Sequence, residues 1–294
     1  MKLHGIFPSV TTPFDHEGNL YKTKVQHNVE KWNHTTLSGY VVCGAAGEGP
    51  FLAAEEKLQV WEWVAKTAAP EKLLIAGAGM QSVHETVQLA NRAAELGYKA
   101  AIVQAPYCYR ELLNRDEAQA LYFRGVADGS RIPIIVDNRP QTAGIDISCE
   151  VIALLSEHPN IIAIQESSGN LERVMRLVQE VKPGFQVLAG SAPILWPALQ
   201  AGASGAILAF ANAAPYACIT IWEAHRTREV EAAQDWQKRI LNAAHLVTAK
   251  YGIPGLKFAM DLNGYYGGPP RLPLSVPSPA ARREIEAAFA GIKG

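Results

Sequence analysis

Eight short, uninterrupted apolar runs, each followed by an amphipathic stretch, leave few folds open to this chain. The runs are Gly5–Thr12, Gly39–Gly44, Lys72–Gly79, Ala100–Ala105, Pro133–Asp137, Ile161–Glu166, Gln186–Gly190 and Gly205–Ala209, rich in Val, Ile and Ala. Being continuous rather than alternating, they read as parallel strands covered on both faces. The stretches between them have helical period. Tyr21, Val25, Val29 and Trp32 share one face, Ala54, Leu58 and Trp61 another, and Val83, Val87, Ala90 and Ala94 a third. Ser82 and Glu85 make a capping box before that third helix, and Gly97 follows its last turn. Strand then helix, repeated eight times, predicts an α/β fold of the (β/α)8 TIM-barrel type rather than a doubly wound sheet. Val230, Ala233, Ile240, Ala244 and Val247 continue at helical spacing, and Ser278–Ile292 is a further amphipathic stretch. The expected organisation is a barrel over residues 1–215 with a C-terminal helical extension over 216–294, packed on it as one structural unit.

Length alone, 294 residues, suggests two domains at roughly 150 residues each, but a single α/β barrel commonly takes about 250. The strand count favours the barrel. With 27 Lys+Arg against 28 Asp+Glu and a net charge of -1, the chain lacks the electrostatic footprint of a nucleic-acid binder. Cys43, Cys108, Cys149 and Cys218 show no CxxC spacing and read as reduced thiols, and the N-terminus lacks an apolar signal region. Both point to a cytoplasmic protein. Residues 183–222 carry no charge, yet Pro193, Pro197, Pro215, Gly190, Gly202 and Gly205 cut that run into strand-length and helix-length pieces, which argues against a membrane span.

In a barrel of this type the site is built at the C-terminal ends of the strands. The segments there are Cys43–Leu52 (CGAAGEGPFL), Ala76–Val87 (AGAGMQSVHETV), Gln104–Glu111 (QAPYCYRE), Val136–Gly144 (VDNRPQTAG), Ile161–Asn170 (IIAIQESSGN) and Val187–Pro193 (VLAGSAP). In order and spacing they resemble the dihydrodipicolinate synthase and N-acetylneuraminate lyase family. Gly252–Leu274 (GIPGLKFAMDLNGYYGGPPRLPL) is especially similar to the 4-hydroxy-2-oxoglutarate aldolase branch. The resemblance implies a class I aldolase or lyase, commonly tetrameric, acting on pyruvate or related 2-oxo acids through a Schiff base on a Lys at the end of strand six.

The chain departs from that pattern at the chemistry itself. The Lys position holds Gln165, the proton-relaying Tyr of strand five is replaced by Asp137, and the hydroxyl pair of the strand-two loop is replaced by Ala45 and Ala46. A carboxamide cannot form an imine, because its nitrogen lone pair is delocalised. No Lys lies between Lys99 and Lys182, Lys72 and Lys99 stand at strand beginnings, and Lys257 belongs to the C-terminal helices. Schiff-base catalysis is therefore not expected.

A small-molecule pocket is expected nonetheless. The backbone of the Gly44–Glu48 loop can bind a carboxylate without hydroxyls. Gly190 and Ile207 match family positions whose backbones line the pocket, and Tyr107 matches a Tyr that reaches a neighbouring subunit's site. Each has a structural alternative in turn geometry or packing. Asp137 and Gln165 should both point inward, as proton donor and positioning group for one ligand, or as partners that merely satisfy each other. Alternation along strand six turns Glu166 outward. No HExxH, GxGxxG or paired metal spacing is present, so neither a metal nor a cofactor is expected. Two functions stay open: a diverged enzyme for a small carboxylate or 2-oxo acid, and a catalytically silent homologue that binds a metabolite or acts as a regulatory subunit. The expected assembly is a homo-oligomer, a dimer or a tetramer, with no nucleic-acid or membrane partner. Aldolase or synthase activity through a residue the sequence does not reveal is a further alternative.

Overall fold

The computed structural model describes residues 1–292. Its eight parallel strands are β1 (Gly5–Pro8), β2 (Gly39–Val42), β3 (Leu73–Gly77), β4 (Ala100–Gln104), β5 (Ile134–Asn138), β6 (Ile161–Glu166), β7 (Gln186–Ala189) and β8 (Gly205–Leu208). From β2 to β8 each strand pairs with its sequence neighbour, and β8 pairs with β1. The ring closes where Ser9 bridges Val41 and the Val10 N–H donates to the Val41 carbonyl at 2.8 Å. This is the (β/α)8 barrel that the apolar runs predicted.

Alternation along the strands sorts the core into two layers. Phe7, Val41, Ile75, Ile102, Ile135, Ala163, Leu188 and Ile207 fill the barrel interior, whereas Ile6, Val42, Ala76, Val103, Val136 and Ile164 pack outward against the helices. Both faces are apolar, which is why the strands read as continuous runs. The covering helices are α1 (Lys22–Asn33), α2 (Ala54–Thr67), α3 (Val83–Glu95), α4 (Asp116–Gly129), α5 (Cys149–Ser156), α6 (Leu171–Glu180), α7 (Leu195–Gln200) and α8 (Pro215–Thr227). Ser82 caps α3 by accepting the Glu85 N–H at 3.2 Å, and Gly97 beyond it takes φ +89. The uncharged run 183–222 becomes β7, α7, β8 and most of α8. Among the described residues no helix is long and apolar enough to cross a membrane.

Helix α8 packs against β1, in the place of the eighth barrel helix. Three more follow: α9 (Val230–His245), α10 (Gly252–Leu262) and α11 (Pro279–Phe289). The segment after α10 returns to the mouth of the barrel. There Lys257, fully buried on α10, lies 2.6 Å from Glu48 in the loop after β2, and the Arg271 N–H donates to the other Glu48 oxygen at 2.8 Å.

Candidate active site

The loop after β2 forms the first wall of the barrel mouth. Its backbone turns sharply at Cys43, φ 59, and Glu48, φ 56. It can lie across β3 only because Gly77 has no side chain: a Cβ there would stand 2.3 Å from the Cys43 carbonyl oxygen. Within the loop, Gly47 and Gly49 donate their N–H groups to the Gly44 carbonyl, and Glu48 donates to that of Ala45. Among the described residues, the N–H groups of Gly44, Ala45 and Ala46 have no partner, so these three are the loop's unspent donors.

The opposite wall is built by β5 and β6, paired so that Asp137 stands beside Gln165 and Asn138 beside Glu166. Side-chain alternation sends the first pair inward, in line with Ile135 and Ala163, and the second pair outward. The outward pair is tightly held. Asn138 Nδ2 donates to Glu166 and Asp146, both at 2.9 Å, the Arg173 guanidinium donates to Glu166 at 2.7 Å, and the Ile147 and Ser168 N–H groups close the network. Anchored behind the barrel in this way, the two strand ends have little freedom, and neither have the groups they present in front.

Gln165 is 2 % exposed and Asp137 6 %, and they do not bond to each other. Both Nε2 protons of Gln165 are committed, to Ser167 Oγ and to the Ile207 carbonyl across the barrel, each at 3.2 Å. The Ile207 carbonyl can only accept, which fixes which end of the amide faces it. Asp137 has Arg139 as its neighbour, at 3.5 Å. Burial pushes the Asp137 carboxyl above the ordinary 3.8, Arg139 partly reverses this, and the Glu166 charge adds to it.

That direction has a consequence for stability. Between pH 3.8 and the raised value the folded chain holds a proton that the unfolded chain has lost, so the contribution of Asp137 to stability falls as pH rises through this interval. Asp137→Asn is expected to raise Tm at pH 7 and to leave it unchanged below pH 3.8; thermal melts across that range check the sign.

Between these walls lies a cavity of about 220 Å³, lined by Ala45, Lys57, Gln81, Gln104, Tyr107 and Asp137 among others. Of the residues singled out from the sequence, Ala45, Tyr107 and Asp137 meet there. Ala46 turns its methyl into the hydrophobic core, and the Ile207 side chain belongs to the barrel interior. Gly190 spends its N–H on the Glu166 carbonyl at 2.8 Å, and a Cβ on it would meet Ser167 Oγ at 2.0 Å. Gln165 is not among the residues lining the cavity, although its strand partner Asp137 is.

Two cations at the mouth were not singled out from the sequence. Arg139 has a buried Nε without an acceptor. Lys57 is 3 % exposed and lies on the buried stripe Lys57, Val60, Trp61 and Val64 of α2. A lysine in phase with an apolar stripe is the sequence signal that would have found it. Among the described residues, no cluster of His, Cys, Asp and Glu is arranged to hold a metal ion.

This site can be set beside known proteins. The model of the dihydrodipicolinate synthetase family matches residues 2–291 of the chain. The chain belongs to that family. A 4-hydroxy-tetrahydrodipicolinate synthase from Methanothrix thermoacetophila is 34% identical over 274 residues, covering 92% of this chain and 90% of that one. The crystal structure of a dihydrodipicolinate synthase from Bacillus anthracis superposes with a TM-score of 0.94 at 24% identity, covering 100% of both chains. A prophage protein of the family from Escherichia coli, solved in complex with pyruvate, gives a TM-score of 0.90 at 24% identity over 98% of this chain and 97% of that one.

Proposed function

We propose that this chain is a diverged, lyase-like member of the dihydrodipicolinate synthetase family that binds a small carboxylate or 2-oxo acid in the barrel-mouth cavity and acts on it without an imine, with Asp137 as the proton-transferring group. The observation that carries this reading is Asp137 itself, a buried carboxyl facing a ligand-sized cavity with its affinity for a proton raised. Without an iminium, the electrons released at a carbon next to the carbonyl must be taken up by the carbonyl oxygen. A carboxylic acid within reach can protonate that oxygen and return as the base. The unspent amide of Ala45 on the cavity wall suits the ligand's carboxylate, as fixed N–H groups suit anions. With both N–H groups committed, Gln165 has only its carbonyl oxygen to offer, so it fits a ligand hydroxyl better than a ligand carbonyl.

The pyruvate complex of the prophage relative supports starting with pyruvate and its hydroxylated 2-oxo homologues. A screen of small acids by thermal shift, followed by turnover assays on the hits, tests the reading. Asp137→Asn is expected to lower turnover by about 10²–10⁴-fold. Turnover that survives the change intact would rule out the role of Asp137. The joint loss of lysine, tyrosine and hydroxyl pair favours a second reading, a catalytically silent binder. Its mark is tight binding of an acid with no product from the wild-type protein. Either way the chain is taken to be a homo-oligomer, supported by the exposed Tyr109 and Leu112 beside Tyr107.

A further inference from the structure

Three lysines of the described chain are more than nine-tenths buried: Lys57, Lys72 and Lys257. Two of them are well provided for. The Lys72 ammonium donates to the Thr35 and Leu37 carbonyls at 2.6 and 2.9 Å. Lys257 has the Glu48 carboxylate at 2.6 Å and the Thr12 and Pro269 carbonyls at 2.9 and 3.0 Å. Lys57 has only the thioether sulfur of Met80, at 3.5 Å. An ammonium carries three donors, and a thioether is a weak acceptor without charge. No carboxylate forms an ion pair with it among the described residues.

A buried cation without a counter-charge is costly, and chains rarely keep one without use. Here the unpaired group sits on the wall of the cavity that also holds Asp137 and Ala45. Asp137, the carboxyl on that wall, forms its ion pair with Arg139 and not with Lys57. The adjacent Cys43 thiol is pushed up to about 12 by burial, and Glu56 on the same helix is engaged by Arg271 through two 2.7 Å hydrogen bonds. Burial lowers the proton affinity of Lys57, and an anion placed in the cavity would restore it. The cavity, about 220 Å³, is smaller than the roughly 300–1,000 Å³ typical of drug-sized sites, which limits the occupant to a few carbon atoms.

We propose that Lys57 is the counter-charge for the anionic group of the ligand, acting with the Ala45 amide on the same cavity wall to select a small carboxylate over its uncharged counterpart. This rests on the carboxylate-binding reading of the cavity and deepens it by assigning the charge that reads the ligand. It also separates the two ends of the ligand: the acid group lies toward α2 and the β2 loop, the reacting carbon toward Asp137.

The test compares pyruvate with its uncharged primary amide, pyruvamide, on the wild-type protein and on Lys57→Met. The wild type is expected to bind pyruvate at least about tenfold more tightly than the amide, the size of effect given by roughly 1.4 kcal/mol. Lys57→Met is expected to lose that preference while its ligand-free Tm rises by about 2–4 °C, because an apolar chain replaces an uncompensated buried charge. A lysine with a purely structural role would show the reverse, a fall in Tm with the preference unchanged, and that overturns the proposal. Pyruvate binding unaffected by Lys57→Met overturns the role of Lys57 alone and leaves the carboxylate pocket standing. Failure of the wild type to bind either probe removes the carboxylate pocket and this assignment together. Covalent trapping of pyruvate on Lys57 by borohydride also overturns it, since the side chain would then be a nucleophile and not a counter-ion.

Discussion

Incubation of the protein with pyruvate and borohydride is expected to leave its intact mass unchanged. Imine formation needs an uncharged primary amine within reach of the ligand carbonyl. At the end of β6 there is an amide instead, with both its N–H groups already committed to Ser167 and Ile207. The other lysines are elsewhere or engaged. Lys72 stands at the N-terminal end of β3 with its ammonium on two carbonyls, and Lys257 is held by Glu48. Lys57 alone among the described lysines lines the cavity, and an ammonium paired with the ligand carboxylate has no lone pair with which to attack. Gln165→Lys is expected to recover little activity. The new amine would arrive among Asp137, Ala45 and Ala46, which offer no hydroxyl to relay protons, and each tenfold in rate that is not recovered corresponds to about 1.4 kcal/mol of barrier. A stoichiometric adduct on the wild-type chain, mapped by peptide mass, would refute the non-imine reading. Recovery of high aldolase activity by Gln165→Lys would show the relay to be dispensable.

Glu48→Ala is expected to be among the most destabilising single substitutions in the chain, costing about 3–5 kcal/mol. Glu48 and Lys257 have fully buried side chains and an N to O distance of 2.6 Å. Around this pair the Lys257 ammonium also donates to Thr12 and Pro269, while Glu48 takes the Arg271 N–H. The pair therefore ties together the segment after β1, the loop after β2, helix α10 and the returning segment at residues 269–271. Truncating Glu48 strands an ammonium in the core, and the penalty of the unpaired charge exceeds anything the lost contact contributed. Replacing both partners, Glu48→Leu with Lys257→Met, is expected to recover most of the loss, because no buried charge then remains. Chemical unfolding of the three proteins decides this. Wild-type stability in Glu48→Ala would mean that water reaches Lys257 and that the pair is not the clasp described here.

Much of this molecule was legible along the chain. Seven of the eight strands lie within the apolar runs from which they were read, and β5 runs one residue past its own, to Asn138, because a parallel strand covered on both faces has to be apolar almost throughout, and this leaves a mark in composition. The inward direction of Asp137 and Gln165 and the outward direction of Glu166 followed from the period of two. Other features left no such mark. Whether Ala46 faces the ligand or the core depends on how the β2 loop coils over Gly77. Whether Gln165 and Asp137 bond to each other depends on which acceptors the fold brings to the amide, and one it brings is the Ile207 carbonyl, 42 residues away in sequence. Lys57 left no mark as a cavity residue because it reaches the cavity from the buried stripe of helix α2, not from a strand end.

The sequence by itself determined the barrel and the absence of an amine at position 165. Those depend on local pattern and on which side chain occupies a known strand end. Only the tertiary structure decided which charges are satisfied. Lys57, Lys72 and Lys257 are the same residue type, all buried, yet one lies against a carboxylate, one against two carbonyls and one against a sulfur atom beside an open cavity. The partner of a buried charge is set by contacts between segments far apart in sequence, and at low dielectric that partner determines whether the charge is a clasp, a strut or a place for a ligand.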